Sequence, residues 1–274
     1  MSLITAALNS GSNGNCYYVG NGREAVLVDA GLSCRETEKR MNRLSLNIQK
    51  VKAIFISHEH SDHIKGVEVL SKKYKIPVYI TEKTLKGGRL KFPSELIQSF
   101  QHHNPISIGE LTITPFSKSH DAVDPYSFTI SGNSVKIAVI TDIGMACNNV
   151  IEHFRQSHAA YLEANYDDEL LESGAYPVYL KRRISSDKGH LSNHQALQLF
   201  LEHKPEFMSH LFLSHLSQDN NSPQLVQQIF NKHAGGTKII VASRHYETDV
   251  HHVSGAVPAD SLQAIAVAEQ MTLF

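Results

Sequence analysis

The segment Ser57-His58-Glu59-His60-Ser61-Asp62-His63 places three imidazoles and two carboxylates within seven residues. Such groups bind transition metals, and the question is how many ions they serve and where the remaining ligands stand. Candidates occur where strand-like runs end. KAIFIS leads into His58, TITPFSKS into His120, KIAVIT into Asp142 and LFLS into His215, while AVLV stops at Asp29 and AAYL at Glu163. A polar residue at one strand end is ordinary, but a whole set ending in His, Asp or Glu marks a site, because ligands in α/β sheets gather on the loops outside strand ends.

Ligand arithmetic points to two ions. His58 and His60 reach one ion across a tight turn and His120 completes its face, while Asp62 and His63 turn to a second ion joined by His215. Asp142, with two carboxylate oxygens, bridges them. A structural zinc site closes with four ligands, whereas catalytic sites keep a position open for water. Two ions about 3.5–4 Å apart lower the pKa of a shared water toward ~7 and clamp an in-line displacement. Imidazole and carboxylate without thiolate suit zinc or manganese, with iron also compatible.

These residues need a scaffold of strands and helices. Runs rich in Val, Ile, Phe and Tyr predict strands at Ala25–Asp29, Lys52–Ser57, Val78–Thr81, Leu111–Phe116, Tyr126–Ile130, Val135–Thr141, Ala160–Leu162, Leu211–Ser214 and Lys238–Ala242. Ser131-Gly132-Asn133-Ser134 reads as a hairpin turn. Capping boxes at Ser33–Glu36 and Ser192–Gln195 open two helices. A third runs from about Asp62 through Ile64, Val67, Leu70 and Tyr74, and a last one opens at Ser222-Pro223 and closes at Gly235. Strands interspersed with helices define an α/β layered fold, taken as one domain over residues 1–274.

Composition limits the partners. With 26 Lys+Arg against 27 Asp+Glu, the formal net charge is -1, so nucleic-acid contact must come from local basic patches. No signal peptide or membrane-spanning run is evident, and Cys16, Cys34 and Cys147 show no CxxC spacing, which reads as reduced thiols in a cytoplasmic protein. The backbone amides at the start of the Ser192–Gln195 helix offer an anion site next to His190, with Ser192 and Asn193 as contacts. Lys181, Arg182, Arg183 and Lys188 precede it. Read alone this run is a solvated loop; its place before His190 also makes Arg182, Arg183 and Lys188 candidate phosphate contacts. Lys83, Lys86, Arg89 and Lys91 are a second candidate phosphate track, with an exposed helix face the favoured reading. The glycine-rich SGSNGNC lacks the GK[ST] of a P-loop and reads as a tight turn between the first two strands.

The pattern His58, His60, Asp62, His63, with His120, Asp142 and His215, resembles the HxHxDH signature of the metallo-β-lactamase superfamily. The resemblance implies a four-layer αββα sandwich with metals at one edge, and makes Asp29 a residue that orients the ligand turn. Gly189–Ala196, Leu213–Ser217 and Leu162–Asn165 look like later motifs of the ribonuclease Z branch. That likeness makes Glu163 and His190 a proton relay for phosphodiester cleavage, alongside Asp62 as a catalytic carboxylate. The chain departs from that branch at Leu191-Ser192 and Asn165, and has no long insertion to serve as a transfer-RNA-binding arm. SGSNGNCYYV, LVDAGLS, FISHEHSDHIKG, KGHLSN and LSHLSQDNN are similar to the WalJ/YycJ-type group. This similarity implies exonuclease action on DNA, favoured over RNA, with 5′-to-3′ polarity, and would bring the SGSNGNC turn to the substrate through Ser12 or Asn13. The competing expectations are a small-molecule thioester or lactone hydrolase of the same fold and an inactive metal-binding adaptor; the filled ligand positions argue against the adaptor. The sequence leaves the oligomeric state open.

Overall fold

The computed structural model describes residues 2–255, so the single domain expected over 1–274 extends beyond the described residues. In chain order the strands are β1 (Ser2–Asn9), β2 (Cys16–Gly20), β3 (Ala25–Val28), β4 (Val51–Phe55), β5 (Val78–Tyr79), β6 (Ile97–Gln98), β7 (Ile106–Ile108), β8 (Leu111–Ser117), β9 (Tyr126–Gly132), β10 (Val135–Ile140), β11 (Ala159–Glu163), β12 (His210–Ser214), β13 (Lys238–Val241) and β14 (His251–Ser254). They form two seven-stranded sheets, ordered β14-β1-β2-β3-β4-β5-β6 and β13-β12-β11-β10-β9-β8-β7. Each sheet is antiparallel on one side and parallel on the other, with β3 to β6 parallel in the first and β10 to β13 in the second.

Period-two alternation assigns the faces. Tyr17, Val19, Val26, Val28 and Phe55 of the first sheet meet Ile113, Phe128, Ile130, Ile137, Tyr161 and Phe212 of the second in the central core. Alternate residues point outward beneath helices. Tyr18, Leu27 and Ile54 lie under α1 (Cys34–Arg43), α2 (Ser61–Ile64) and α3 (Val67–Tyr74), while α4 (Glu82–Gly87) follows β5. Ile140, Leu162 and Leu213 lie under α5 (Asn148–Arg155), α8 (Asn193–His203) and α9 (Pro223–Asn231), with α6 (Asp168–Ser173) and α7 (Val178–Ile184) inserted between β11 and α8. The result is the expected αββα sandwich. Burial on both faces explains why AVLV and KIAVI read as continuous apolar runs rather than alternating ones.

Local chemistry sets the boundaries. Asn133 and Ser134 both have positive φ (53° and 61°), giving the tight hairpin between β9 and β10. Ser192 forms a complete capping box with Gln195. The box expected at Ser33 is only half made: Ser33 accepts from the Glu36 amide, but the Glu36 carboxylate turns to Arg40 instead. The helix expected to run from Asp62 to Tyr74 is interrupted at Gly66. Its amide donates to Ala30 O, and a Cβ there would lie 1.7 Å from Leu32 O. The last helix ends at Asn231, and Gly235 (φ +57°) belongs to the turn that follows. All three cysteines are free thiols, and among the described residues no helix is long and apolar enough to cross a membrane.

Candidate metal centre

Three strand-end residues, Asp29, Asp142 and His215, sit in the left-handed region at φ 60°, 55° and 55°. This conformation is costly for non-glycine residues and concentrates at functional sites. Here it turns each side chain away from its sheet toward the edge where the loops after β3, β4, β8, β10, β11 and β12 meet.

The first face is three imidazoles. His58 Nε2 lies 3.1 Å from His60 Nδ1, which lies 3.4 Å from His120 Nε2. Nitrogens about 2.0–2.1 Å from one tetrahedral ion stand roughly 3.3 Å apart, so these spacings suit one ion. His120 Nδ1 donates to Gly189 O at 3.0 Å, leaving Nε2 free to ligate. Burial, the main cause, pushes the His120 pKa down to about 3, and burial together with the charge of His63 holds His58 well below the ordinary histidine value. Both are therefore neutral imidazoles at neutral pH, the form that binds metal.

The second face holds the carboxylates. Asp62 Oδ2 is 3.4 Å from His63 Nε2 and 3.8 Å from His215 Nε2. Asp142 lies between the faces, with Oδ2 3.2 Å from His63 Nε2 and Oδ1 2.9 Å from His215 Nδ1 and 4.0 Å from His120 Nε2. Burial opposes ionisation of Asp142, but His215 and His63 outweigh it and hold the pKa well below the usual carboxylate range. Asp29, fully buried, accepts from Ser57 N and Ser57 Oγ, each at 2.8 Å, and holds His63 Nδ1 at 2.7 Å. A carboxylate on the far nitrogen fixes the ring and makes the near one a better ligand.

The residues fit metal ions. Asp142 Oδ2 and His215 Nδ1 are buried without hydrogen-bond partners, although buried polar atoms are nearly always satisfied. Ligand atoms of His58, His60 and His120, of His58, His63 and Asp142, and of Asp142, Glu163, His190 and His215 each converge within 4.8 Å. The third set adds Glu163 and His190 to the cluster. His190 Nδ1 lies 2.7 Å from Glu163 Oε1, while Glu163 Oε2 accepts from Ile143 N at 2.6 Å. The His190 ring stands 5.3 Å from those of His120 and His215. Burial alone would lower the His190 pKa, but the charge and hydrogen bond of Glu163 lift it to about 9.

The expected phosphate contacts need correction. Ser192 and Asn193 are 1% and 2% exposed, and their donors are spent internally. Ser192 caps Gln195 and gives its own amide to the Gln195 side chain, while Asn193 bonds Tyr166 O and Asn221 Oδ1. Both residues are thus turned into the fold rather than toward an anion at the surface. Arg183 is not a free cation, because its Nε pairs with Asp121 Oδ2 at 2.5 Å. Arg182 and Lys188 are exposed. The loop that carries Lys188 is held beside His120 and His190: Ser119 Oγ donates to Asp187 O, and His190 N to Ile184 O. Lys83 and Lys86 pair with Asp124 and Glu82 on an exposed face.

Three residues escaped the sequence reading. Asn15, rather than Ser12 or Asn13, carries the SGSNGNC loop into the centre: its Nδ2 lies 3.1 Å from both Asp62 Oδ2 and His63 Nε2, whereas Ser12 and Asn13 are exposed. Lys118 is buried and donates to Thr141 O at 2.6 Å; burial pushes its pKa down, against the opposing charges of Asp142, Asp29, Glu163 and Asp62. Asp121 has one carboxylate oxygen on Arg183 and the other buried without a hydrogen-bond partner, 3.4 Å from His120 Nε2. The glycine-rich composition around Asn15 was the available signal for that loop; single Lys and Asp residues gave none.

An αββα sandwich with imidazoles and carboxylates gathered where its loops meet defines a metal-dependent hydrolase of the metallo-β-lactamase kind. The chain belongs to that superfamily, its residues 24–215 matching the family described as the beta-lactamase superfamily domain. The exodeoxyribonuclease YycJ of Bacillus anthracis is 38% identical over 232 residues, covering 83% of this chain and 87% of that protein. The exodeoxyribonuclease WalJ of Streptococcus pneumoniae serotype 2 is 34% identical over 223 residues, covering 80% and 83%. The metallo-β-lactamase fold protein YhfI of Bacillus subtilis superposes with a TM-score of 0.71 over 92% of this chain and 100% of its own, at 17% identity, a likeness of fold alone.

Proposed function

We propose that the chain is a two-metal phosphodiesterase acting on nucleic acid, a DNA exonuclease working 5′ to 3′. The observation that carries the reading is His190, held by a buried carboxylate beside the convergent ligands. The two relatives named exodeoxyribonucleases support the choice of DNA. His58, His60 and His120 would hold one ion, Asp62, His63 and His215 the other, with Asp142 shared; zinc or manganese suits these donors, and iron is compatible. When bound, the ions supply an activated water and neutralise charge developing on the phosphate. The chain's own residues do the rest. Asn15 steadies the Asp62 carboxylate, which accepts a hydrogen bond from the attacking water. Asp29 fixes the His63 ring. Glu163 keeps His190 protonated near neutral pH, and His190 delivers that proton to the departing oxygen, which as an alkoxide is a poor leaving group. Arg182 and Lys188 draw in the strand.

The test is cleavage of end-labelled single- and double-stranded DNA and RNA with manganese, zinc or magnesium, beside a thioester, with elemental analysis of the protein. Close to two metal ions per chain and shortening of DNA from its 5′ end are expected. Turnover of the thioester with nucleic acid left intact would replace this reading with the small-molecule hydrolase. His190→Ala should lose about 10²–10⁴-fold on DNA and far less on a nitrophenyl phosphodiester, whose leaving group needs no proton. Equal losses on both substrates would remove the acid role.

A further inference from the structure

Arg244 stands beside the turn that carries His215. Its Cβ would be 3.1 Å from a Cβ at Gly11, itself beside Leu216 O in the residue after His215. The junction is rigid: His215 N donates to Ser10 Oγ at 2.8 Å, and Ser10 N to Ser243 O at 3.1 Å. Arg244 Nη1 is buried with no hydrogen-bond partner, and Nη2 reaches only Ser12 Oγ, at 3.5 Å. Among the described residues no carboxylate pairs with this guanidinium within 4.0 Å, in contrast to Arg23, Arg40, Arg43 and Arg183. A desolvated arginine donor without an acceptor is costly, and a guanidinium fork matches phosphate oxygens in shape and charge.

The space beside it is small, with polar groups set among apolar side chains. Arg244, Ser10 and Ser217 share the wall of a cavity of about 130 Å³ with Leu216, Pro223 and the buried Ala242. That is room for one phosphate group and a few waters, with none for a nucleoside. We propose that Arg244 and this cavity bind a single non-scissile phosphate of the substrate, next to the bond being cut. The inference rests on the phosphodiesterase reading above and adds a residue to it. It also gives that phosphate a place, beside the turn that follows His215. Two sources offer this group, a terminal monophosphate or an internal phosphodiester. A one-phosphate cavity accepts either, and only the first makes cleavage depend on the state of the strand end.

The experiment compares the metal-loaded protein with Arg244→Ala and Arg244→Lys on three substrates: 5′-phosphorylated DNA, 5′-hydroxyl DNA and bis(p-nitrophenyl) phosphate, which carries only the scissile phosphate. Thermal unfolding of each variant serves as the folding control, and anisotropy of a labelled phosphorothioate strand reads binding without turnover. Arg244→Ala should raise KM on DNA by about 10- to 100-fold, the loss of one charged hydrogen-bonding group. It should lower the salt slope of binding by about 1 and leave bis(p-nitrophenyl) phosphate turnover unchanged. Arg244→Lys should recover part of the loss. A defect confined to 5′-phosphorylated DNA assigns the cavity to the terminal group, and an equal defect on both DNAs assigns it to an internal one. Unchanged KM and binding on DNA, or a loss of the same size on bis(p-nitrophenyl) phosphate, overturns the inference while the phosphodiesterase reading stands. Wild-type protein that cuts no nucleic acid overturns that reading and takes this inference with it.

Discussion

Glu163 has no solvent access, and one of its oxygens already takes the Ile143 amide, so its remaining charge is committed to His190. The folded-state pKa of His190, about 9, lies above the ordinary histidine value of 6.5. Folding is therefore favoured by the protonated form: the contribution is full below about pH 6.5 and is lost as pH rises through about 9. In metal-free protein the melting temperature of wild type should fall between those values, and His190→Gln should flatten that part of the profile. Parallel declines in the two proteins would show that the pair carries no such linkage. At this scale much of the site was legible. His58, His60, Asp62 and His63 stand out because four ligand residues in six positions have no ordinary structural use, and His120, Asp142 and His215 because each closes an apolar run. Asn15, Lys118 and Asp121 were not legible, because their roles come from contacts between residues distant in sequence. The phosphate contacts failed at Ser192 and Asn193 for a related reason. A capping sequence shows that a helix starts there, but the partners of its amides belong to the tertiary structure.

Among the elements, strands were easier to read than helix breaks. The nine runs expected as strands all form, since β-branched and aromatic clusters between turn residues carry their signal locally. The short strands β6 and β7 hold two and three residues, too few for a pattern. The division of α2 from α3 depends on contacts that no periodicity encodes. The loop after β3 runs so close to the ligand turn that a Cβ at Gly31 would sit 1.6 Å from Asp62 O and one at Gly66 1.7 Å from Leu32 O. These contacts with backbone leave no flexible atom to yield, so the glycines set the distance between the Asp29 loop and the ligand turn. Gly31→Ala should cost about 3 kcal/mol or more by overpacking. It should also lower the bound-metal stoichiometry, since Asp62 and His63 shift with the backbone. Urea unfolding and elemental analysis check both effects, and a variant with wild-type stability and full metal content would show that the loop relaxes freely.

At the scale of the molecule, the two sheets repeat one plan, an antiparallel meander leading into parallel strands joined by helices, although the sequence shows no repeat. The likeness lies in the order and direction of the strands. The first half contributes His58, His60, Asp62 and His63, and the second His120, Asp142, Glu163, His190 and His215. The centre thus draws on both sheets, which already meet through the apolar core and hydrogen bonds such as His215 N to Ser10 Oγ, and ions held there would add a further tie between the halves. In their absence the edge concentrates Asp29, Asp62, Asp142 and Glu163 around imidazoles, with Asp142 Oδ2 and His215 Nδ1 unsatisfied. Binding confined to the folded state stabilises it by about 4.1 kcal/mol when free ion exceeds Kd a thousandfold. For a chain of this size that corresponds to a rise of roughly 8–16 °C in Tm. Chelator-treated protein titrated with manganese or zinc should show such a rise in calorimetry, and His58→Ala with Asp142→Asn should abolish most of it. A rise of similar size in that double variant would place the stabilising ions elsewhere on the surface and detach the seam between the halves from metal binding.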